Sequence, residues 1–261
     1  MVEPARLGVL GWPVAHSRSP AMHNAALAAL GLDAWRYQAL PVPPDLLSET
    51  VRGLPGAGFA GANVTVPHKQ AALALADEPT ARAAAIGAAN TLTFTAGGAI
   101  EADNTDAPGL LAALPEPPRG RRALILGAGG GARAVAWALR EAGASEVLVF
   151  NRTRERAEAL AADLGVAVSD EPVAADLLVN CTTVGLDDAD AMPAVDVSAY
   201  GCVVDLVYRE GGTALVRAAR AAGIPTVDGL EVLVRQGALS LERWTGREAP
   251  LDVMRAAAAV F

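Results

Sequence analysis

The chain has 261 residues, of which 52% are hydrophobic, 19% charged and 4% aromatic, and its formal net charge is −8. This composition excludes a disordered chain, and the acidic balance argues against nucleic acid or an anionic membrane as a partner. The apolar runs are shorter than the ~18–20 residues that a membrane-spanning helix needs, and the N-terminus does not resemble a signal peptide. We therefore expect a soluble, cytoplasmic protein of one or two globular domains.

Short strand-like runs alternate with alanine-rich helical patterns, which indicates βαβ units and a parallel sheet. A strand at 6–10 and a loop at 11–18 precede a predicted helix with Ser19 as its cap, Pro20 as its first residue and Gly31 at its end. The other elements predicted in this part are strands at 35–40, 61–66, 91–95 and 100–102 and a helix that Pro67 opens. A glycine pair between the last two strands predicts a β-hairpin.

A stretch rich in proline, arginine and glycine at 115–122 marks a change in composition, and a second lobe is predicted to begin near 105–121. Strand and helix patterns alternate after it. The predicted strands cover 123–126, 146–150, 176–180, 202–207 and 225–227, and two final helices cover 230–244 and 251–260. We therefore expect two lobes, the second built on a parallel sheet.

The glycine-rich turn after the strand at 123–126 opens a helix, which is the setting of a dinucleotide-binding fingerprint. Gly127 permits the tight turn, Gly129 lets the backbone approach a pyrophosphate, and Ala132 allows the helix to pack closely on the strand. The helix N-terminus adds N–H donors and a positive dipole end. A turn without a ligand is the alternative, which the strand–turn–helix–strand context disfavours. The cofactor contacts predicted here are Gly127, Ala128, Gly129, Gly130, Gly131 and Ala132.

The end of the next strand, FNRTRER at 150–156, indicates which dinucleotide is bound. A carboxylate there would bind the ribose 2′-hydroxyl and repel a 2′-phosphate, whereas Arg152, Arg154 and Arg156 offer planar donor forks for phosphate. NADP is therefore favoured over NAD. Arg154 and Arg156 also fit a solvated helix face paired with neighbouring glutamates, so Arg152 is the arginine most strongly indicated.

Lys69 is the only lysine among the 21 basic residues. One lysine can survive by chance, or it can mark a site that needs an amine able to release its proton, which a guanidinium does not do at working pH. The two cysteines, Cys181 and Cys202, lie in strand-like segments and provide neither a disulfide framework nor a metal-ligand set. We expect no metal.

Polar side chains of the first lobe gather where strands are expected to end, and in open α/β sheets ligands bind beyond the carboxyl ends of strands. Hydroxyls and amides with one lysine and one aspartate suit a small polyhydroxylated substrate. Taken singly, each has a structural alternative, such as Ser19 as a helix cap or Asp106 as a cap before Pro108. The residues of this set are Ser17, Ser19, Asn63, Thr65, Lys69, Asn90 and Asp106.

Together the motifs resemble the shikimate dehydrogenase family, in the family's order and spacing and over nearly the whole chain. The most specific are HSRSP, NVTVPHK and DNTD, which are not general features of dinucleotide-binding proteins. The others are GWPVAHSRSPAMHN, IGAANTL, LGAGGGARA, NRTRERA, NCTTVG, VVDLVY and DGLEVLVRQGA.

The resemblance implies an N-terminal α/β substrate-binding domain, a Rossmann-type doubly wound NADP-binding domain, and C-terminal helices that pack back on the first domain. The implied bounds are 1–104 plus about 231–261 for the substrate-binding domain and 105–230 for the NADP-binding domain. The implied reaction is the reversible NADPH-dependent reduction of 3-dehydroshikimate to shikimate, in the biosynthesis of chorismate and aromatic amino acids.

The family's site residues then fall on particular positions of this sequence. Lys69 and Asp106 take the positions of the catalytic lysine and aspartate, and Ser17 and Ser19 those that hold the substrate carboxylate. The implied contacts to the ring hydroxyls or the carboxylate are Thr65, Asn90, Tyr208 and Gln236, with Asn63 supporting. The implied cofactor contacts outside the glycine-rich turn are Asn151, Arg152, Thr153, Arg154, Arg156, Leu206 and Gly229.

Three positions depart from the family pattern. Gly131 stands where alanine is more usual, and Tyr208-Arg209-Glu210 lacks the proline that commonly follows two residues after the tyrosine. Ala81 stands at an acidic position that approaches the cofactor in the family, and this contact is not carried over.

Other functions stay open on the sequence. A quinate/shikimate dehydrogenase of the same fold would differ in its carboxylate pocket, and serine at both 17 and 19 favours shikimate. A non-catalytic NADP-sensing regulator would lack part of the acid–base pair, and a dehydrogenase for an amino analogue of shikimate is only weakly disfavoured. The expected partner is a small-molecule substrate, and the chain is expected to be a monomer or homodimer.

Overall fold

The computed structural model describes residues 4–260, which form two compact units. The first unit runs to Thr105 and includes Val234–Val260, and the second unit is Asp106–Leu233. None of the helices within 4–260 combines the length and apolar character that crossing a bilayer demands.

The first unit contains a mixed six-stranded sheet of order β2-β1-β3-β5-β6-β4. Its strands are β1 (Arg6–Gly11), β2 (Arg36–Pro41), β3 (Phe59–Val64), β4 (Glu78–Pro79), β5 (Thr91–Phe94) and β6 (Ile100–Asp103). β1 pairs in parallel with β2 and β3, whereas β5 pairs antiparallel with β3 and β6. The predicted hairpin is therefore confirmed as β5–β6.

Four helices of this unit lie between or beside the strands: α1 (Ser19–Ala29), α2 (Leu47–Gly53), α3 (Lys69–Ala74) and α4 (Ala81–Ile86). The prediction of Ser19 as the cap of α1 is wrong, because the N-cap residue is Arg18 and Ser19 is already helical. Ser17 provides the side-chain acceptor at the start of the helix instead, since its Oγ accepts the Ser19 N–H at 3.3 Å. Pro20 is the second residue of α1 and not the first as predicted, and Gly31, just beyond α1, adopts a φ of 67°.

The second unit contains a six-stranded, fully parallel sheet of order β12-β11-β10-β7-β8-β9. The strands are β7 (Arg122–Leu126), β8 (Glu146–Phe150), β9 (Ala167–Val168), β10 (Ala175–Asn180), β11 (Tyr200–Asp205) and β12 (Thr226–Val227). The helices are α5 (Asp106–Ala113), α6 (Gly130–Glu141), α7 (Arg154–Leu164) and α8 (Ala214–Ala221). This strand order is that of a Rossmann fold, with its switch point between β7 and β10.

Both faces of the second sheet are buried. Alternate residues of the strands, such as Ile125 and Val179, enter one apolar cluster with α6 and α7. Their neighbours, such as Leu124 and Leu178, enter a second cluster with α8. A strand covered on both faces must be apolar throughout, which explains why the strands of this unit were readable as continuous apolar runs.

The last two helices are α9 (Gly229–Thr245) and α10 (Leu251–Ala258), and the boundary between the units falls inside α9. Within the first unit, the end of α9 lies close to β3 and β5, where Trp244 Nε1 donates to Leu92 O at 3.0 Å. A Cβ at Gly61 would come within 2.2 Å of that Nε1 atom, so only glycine allows this approach. α10 packs against α1, as expected for helices that return to the first domain.

Candidate active site

The site residues of the first unit come together because of the strand directions. β1 and β3 end at this edge of the sheet, and the antiparallel strand β5 begins there, since Asn63 pairs with Thr91. β6 ends at the same edge, because Thr91 pairs with Asp103. The expectation that all of these residues follow carboxyl ends of strands is therefore wrong for Asn90, which precedes β5.

Asn63 is buried and its amide is fully engaged. Its Nδ2 atom lies 2.9 Å from Ser240 Oγ, 3.1 Å from Asn90 O and 3.2 Å from Thr91 Oγ1. Its Oδ1 atom accepts the Tyr37 hydroxyl proton at 2.7 Å. The Asn63 side chain is therefore held in a fixed orientation by its neighbours.

Tyr37 is itself fixed by an aromatic stack. Its ring lies 4.2 Å from that of His23, with 4° between the planes, and Trp244 lies 5.9 Å from His23. His23 is completely buried, and burial lowers its pKa to about 3. The imidazole is therefore neutral and acts as an apolar ring in this stack.

Asn90 joins the strand edge to α9. Its Nδ2 atom donates to Thr105 Oγ1 at 2.9 Å and to Gln236 Oε1 at 3.0 Å. Its Oδ1 atom accepts from Thr105 N at 2.7 Å and from Thr91 Oγ1 at 3.0 Å. Ser240 Oγ lies 3.1 Å from Thr105 Oγ1. Buried amides and hydroxyls that satisfy one another in this way hold each other's orientation.

Asp103 organises the segment that leads to Asp106. It is buried and accepts from Thr80 Oγ1 at 2.8 Å, from two nitrogens of Arg82, the closer at 2.7 Å, and from Asn104 N at 2.7 Å. Burial raises the pKa of this carboxyl, but these hydrogen bonds and the Arg82 charge outweigh burial, so its pKa lies below the ordinary value. Asn104 also donates to Ala88 O at 2.9 Å.

Lys69 is the first residue of α3 and is half-buried, and its carbonyl accepts from Ala89 N at 2.8 Å. Thr65, also half-buried, follows β3, where its N–H donates to Leu10 O at 2.8 Å. A Cβ at Gly11 would lie 2.5 Å from Thr65 Cγ2, so glycine makes room for Thr65 at this edge. Ser17 is half-buried and Ser19 is buried. Thr65 and Lys69 therefore follow β3 at the same sheet edge at which Asn90 precedes β5.

In the second unit, the glycine-rich turn connects β7 to α6. Gly127 has a φ of 103°, and a Cβ there would lie 3.2 Å from the Cys181 backbone. Gly129 caps α6, is exposed and faces open space. Ala132 is fully buried in the core. A Cβ at Gly131 would lie 3.6 Å from Leu206 Cδ1, an ordinary contact, so the glycine at this position is not required by packing.

A cavity of about 390 Å³ lies beside this turn. Its polar lining includes Asn151, Arg152 and Thr182, and its apolar lining includes Phe150 and Val184. The full lining is Leu126, Gly127, Phe150, Asn151, Arg152, Pro172, Thr182, Thr183, Val184, Pro193, Ala194 and Val195. This cavity fits the adenosine half of a dinucleotide, because it combines an accessible helix N-terminus, an apolar lining and an arginine at its rim.

The three arginines after β8 differ in their surroundings. Arg154 pairs with Glu158 at 2.7 Å and also with Asp170, so it lies on the ion-paired helix face that the sequence left open as the alternative. Arg152 and Arg156 are exposed, and within 4–260 neither forms an ion pair. A local hydrogen bond orients the Asn151 side chain, because its Nδ2 donates to Thr153 O at 2.7 Å.

Asp205 and Asn180 pair across the ends of β11 and β10, with Asn180 Nδ2 donating to Asp205 Oδ1 at 2.9 Å. Asp205 also accepts from Thr213 Oγ1 at 2.6 Å and from Val207 N at 3.0 Å. Burial raises the pKa of Asp205, although these hydrogen bonds oppose the shift. Asn180 Oδ1 accepts the Thr182 hydroxyl at 2.7 Å, so this pair fixes the loops on both sides.

The backbone packing around position 229 requires glycine. A Cβ there would lie 2.4 Å from Leu206 O and 2.9 Å from Val207 C. The start of α9 therefore approaches the Leu206–Val207 backbone as closely as only glycine allows. Tyr208, two residues beyond Leu206, is half-buried.

Several residues of these sites were not found from the sequence. Thr182, Thr183 and Val184 lie in the NCTTVG motif, whose residue types alone do not indicate a contact with a cofactor. Their position directly after the strand that neighbours β7 could have identified them. Asp103 and Thr105 lie in the DNTD motif, but their contacts are made with distant parts of the chain, and Ser240 has no comparable signal.

The parallel sheet, its glycine-rich turn and the polar edge of the other sheet define a dinucleotide-dependent oxidoreductase with a separate α/β unit. Three family profiles match the chain: the shikimate dehydrogenase substrate binding domain at 9–92, shikimate/quinate 5-dehydrogenase at 114–181, and the shikimate 5′-dehydrogenase C-terminal domain at 229–259. A shikimate dehydrogenase (NADP⁺) from Symbiobacterium thermophilum is 46% identical, covering 97% of this chain and 92% of the relative.

Solved structures agree. Shikimate 5-dehydrogenase from Thermus thermophilus, in complex with NADP(H) and shikimate, is 45% identical with a TM-score of 0.88, covering 97% of this chain and 98% of that one. The ligand-free 5-ketofructose reductase of a Gluconobacter species is 33% identical with a TM-score of 0.88, covering 98% of each chain. The chain belongs to the shikimate dehydrogenase family. The resemblance, the fold and the NADP-dependent oxidoreductase class expected from the sequence are thereby confirmed.

Proposed function

We propose that this chain catalyses the reversible NADPH-dependent reduction of 3-dehydroshikimate to shikimate, a step towards chorismate and the aromatic amino acids. The observation that carries the proposal is the 45% identity, over 97% of the chain, to a shikimate 5-dehydrogenase solved with NADP(H) and shikimate. We assign substrate binding to the first unit and NADP binding to the second, and we place the protein in the cytoplasm as a monomer or homodimer.

Lys69 and Asp106 are the proposed catalytic residues. When the substrate carbonyl is reduced, negative charge develops on its oxygen, and the Lys69 ammonium stabilises that charge and donates a proton to the oxygen. In the oxidative direction, the neutral amine accepts the hydroxyl proton. Asp106 orients the adjacent hydroxyl. It directly follows Thr105, whose N–H donates to Asn90 Oδ1 at 2.7 Å, so the buried network fixes the chain just before Asp106.

The proposed substrate contacts are those that the family resemblance implies. Ser17 and Ser19 hold the carboxylate, and Thr65, Asn90, Tyr208 and Gln236 contact the ring hydroxyls or the carboxylate. Asn90 and Gln236 support this role because a bond of 3.0 Å joins them, which fixes the orientation of both side chains before substrate arrives. Asn63 supports them without contacting substrate.

The second unit fits NADP. The open space at Gly129 leaves the α6 N-terminus accessible to a pyrophosphate, and the exposed Arg152 at the cavity rim suits a 2′-phosphate. The bound cofactor supplies or accepts the hydride. The proposed contacts are Gly127, Ala128, Gly129, Gly130, Gly131, Ala132, Asn151, Arg152, Thr153, Arg156, Leu206 and Gly229. Arg154 contributes less, because its ion pairs hold it on the helix face.

A second candidate activity is the reduction of a polyhydroxylated ketone without a carboxylate. It is favoured by the similarity to a 5-ketofructose reductase over 98% of the chain. In the first unit, the residues assigned to the carboxylate are the neutral hydroxyls of Ser17 and Ser19. Neutral donors discriminate less strongly between a carboxylate and a hydroxyl than a guanidinium would.

Initial rates with purified protein test these assignments. NADP⁺ reduction is followed by absorbance with shikimate and with quinate, each also with NAD⁺, and NADPH oxidation is followed with 5-ketofructose. We expect shikimate with NADP⁺ to give the highest kcat/KM. A higher kcat/KM with quinate or 5-ketofructose would replace the proposed substrate, and nucleotide binding without turnover of any of the three would favour the NADP-sensing regulator.

A further inference from the structure

One wall of the nucleotide cavity is formed by chain that has no regular secondary structure. It runs from the end of β10 to the short 3₁₀ helix at 197–199, and its two ends line the cavity through Thr182–Val184 and Pro193–Val195. A turn lies in between, in which Leu186 N donates to Thr183 O at 3.0 Å. Such a segment lacks the hydrogen-bond ladder of a strand or helix, so side chains from elsewhere must set its position.

Arg209 contacts this segment directly. Its Nη1 atom donates to Leu186 O at 2.7 Å and to Gly185 O at 3.2 Å, which are the last two residues of the turn. Both acceptors are main-chain carbonyls, so the contact fixes the path of the backbone rather than one side chain. The first two residues of the same turn, Thr183 and Val184, line the cavity.

Arg217, on α8, makes a second and weaker brace. Its Nη2 atom lies 3.1 Å from Ala189 O and 3.2 Å from Asp190 Oδ1, and its Nη1 atom donates to Gly212 O at 2.9 Å. Arg217 therefore joins the middle of the cavity wall to the loop between β11 and α8. Arg209 belongs to that same loop.

The loop that carries Arg209 is anchored at both ends and includes Tyr208. Asp205 holds its start through Val207 N at 3.0 Å and its end through Thr213 Oγ1 at 2.6 Å. Gly212 N donates to Arg209 O at 3.0 Å, which closes a turn just after Tyr208. Because Arg209 directly follows Tyr208, a displacement of Arg209 shifts the Tyr208 loop as well as the cavity wall.

We propose that Arg209 is a positioning residue that fastens the wall of the nucleotide cavity to the Tyr208 loop, so that one guanidinium sets both cofactor affinity and substrate affinity. It contacts neither ligand in this role. The identity of the two ligands, NADP and shikimate, rests on the proposed function.

Calorimetric titration and steady-state kinetics of four variants test the proposal. Arg209→Ala and Arg209→Lys alter the wall contact, and Arg217→Ala removes the second brace. Arg36→Ala is the matched control, because Arg36 Nη1 also donates to two main-chain carbonyls, Asp33 O at 2.6 Å and Trp35 O at 2.8 Å, but in the first unit. The ligands are NADP⁺, 2′,5′-ADP as its adenosine half, and shikimate.

We expect Arg209→Ala to raise the Kd of both NADP⁺ and 2′,5′-ADP about tenfold, the loss of a charge-assisted hydrogen bond. The KM for shikimate rises severalfold, whereas kcat stays within about threefold because Lys69 and Asp106 are untouched. Arg209→Lys restores part of the affinity, since an ammonium can still donate to a carbonyl. Arg217→Ala gives a smaller effect of the same kind, and Arg36→Ala none.

Wild-type affinity of Arg209→Ala for both nucleotides would overturn the proposal. So would weaker NADP⁺ binding with unchanged 2′,5′-ADP binding, because the arginine would then act on the other half of the cofactor. If Arg209→Ala fails to fold, Arg209→Lys and Arg217→Ala carry the same comparison. Altered nucleotide affinity in a protein that does not oxidise shikimate would support the wall contact and refute the substrate assignment instead.

Discussion

The two units hold their candidate functional side chains in opposite ways. In the first unit, Asn63 and Asn90 are buried, and their amides bond to several neighbours each. In the second unit, Arg152 is exposed at the rim of a cavity, Arg156 is exposed, and Gly129 faces open space. The polar site of the first unit is thus part of what stabilises the fold, whereas the exposed residues of the nucleotide site can change with little effect on stability.

Replacing Asn90 by leucine, which has a similar shape, should show most strongly that the site of the first unit stabilises the fold. The change strands Thr105 N and removes one partner each from Thr105 Oγ1 and Gln236 Oε1, and an unsatisfied buried group costs about 1–3 kcal/mol. We predict a loss of about 3 kcal/mol in the free energy of unfolding, measured with urea, and a large loss of turnover.

Asn151→Leu is the matched control in the second unit. The amide of Asn151 makes one exposed bond, to Thr153 O at 2.7 Å. We expect its free energy of unfolding to change by less than about 1 kcal/mol. Equal destabilisation by the two substitutions would contradict the contrast between the units.

Arg152→Ala should change affinity without changing stability. Loss of the contact to a 2′-phosphate raises the KM for NADP⁺ by about 10–100-fold, while the KM for NAD⁺ hardly changes. Arg154→Ala is the control, because Arg154 is already paired with Glu158 and Asp170. If Arg154→Ala shifts cofactor preference more than Arg152→Ala, the assignment of the phosphate contact is wrong.

Acid should affect the two units in opposite directions. The pKa of Asp103 is lowered in the folded state, so its ionised form stabilises the first unit above about pH 4, and this contribution is lost as the pH falls through the lowered pKa. The pKa of Asp205 is raised, so the second unit loses stability as the pH rises from about 4 through that raised value.

Unfolding of the wild type, Asp103→Asn and Asp205→Asn over about pH 3–7 measures both slopes. We predict that the stability of Asp103→Asn falls less in acid than that of the wild type, because the variant lacks the ionised Asp103 carboxylate. The stability of Asp205→Asn should fall less than that of the wild type as the pH rises, because the variant has no carboxyl to ionise at this position. Slopes of the same sign for the two substitutions would refute the opposite shifts.

Gly131→Ala should have the smallest effect. A Cβ there meets Leu206 Cδ1 at 3.6 Å, and alanine in a helix is favoured over glycine by roughly 0.5–1 kcal/mol. We expect the melting temperature to stay the same or rise slightly and the KM for NADP⁺ to stay unchanged. Gly229→Ala is the contrasting variant, because its Cβ would come within 2.4 Å of Leu206 O, and it should lower both stability and cofactor affinity.

The sequence predicted the second unit better than the first, for a physical reason. Its strands are buried on both faces and read as apolar runs, and its turn chemistry is local, as at Gly127. The antiparallel pairing of β5 with β3 and the short strands β4 and β9 depend on contacts between distant segments. The sequence therefore did not predict this pairing or these two short strands.

The candidate site shows the same division. Arg152 and Gly129 stand out from their neighbours in sequence, whereas Asp103 and Ser240 acquire their contacts from Arg82, Thr91 and Thr105 only in the folded chain. The cap of α1 is a local example. Ser17, rather than Ser19, accepts the N–H, since the helix starts one residue earlier than the pattern suggested.

The most direct test of the proposed chemistry is the rate of NADP⁺ reduction by shikimate in Lys69→Ala, measured in a single turnover with both ligands saturating. We predict a fall of about 10²–10⁴-fold, while the Kd of each ligand stays within about threefold. Lys69→Arg should not restore the rate, because a guanidinium keeps its proton at working pH. A Lys69→Ala protein that reduces NADP⁺ at the wild-type rate would contradict the proposed role of the only lysine in the chain.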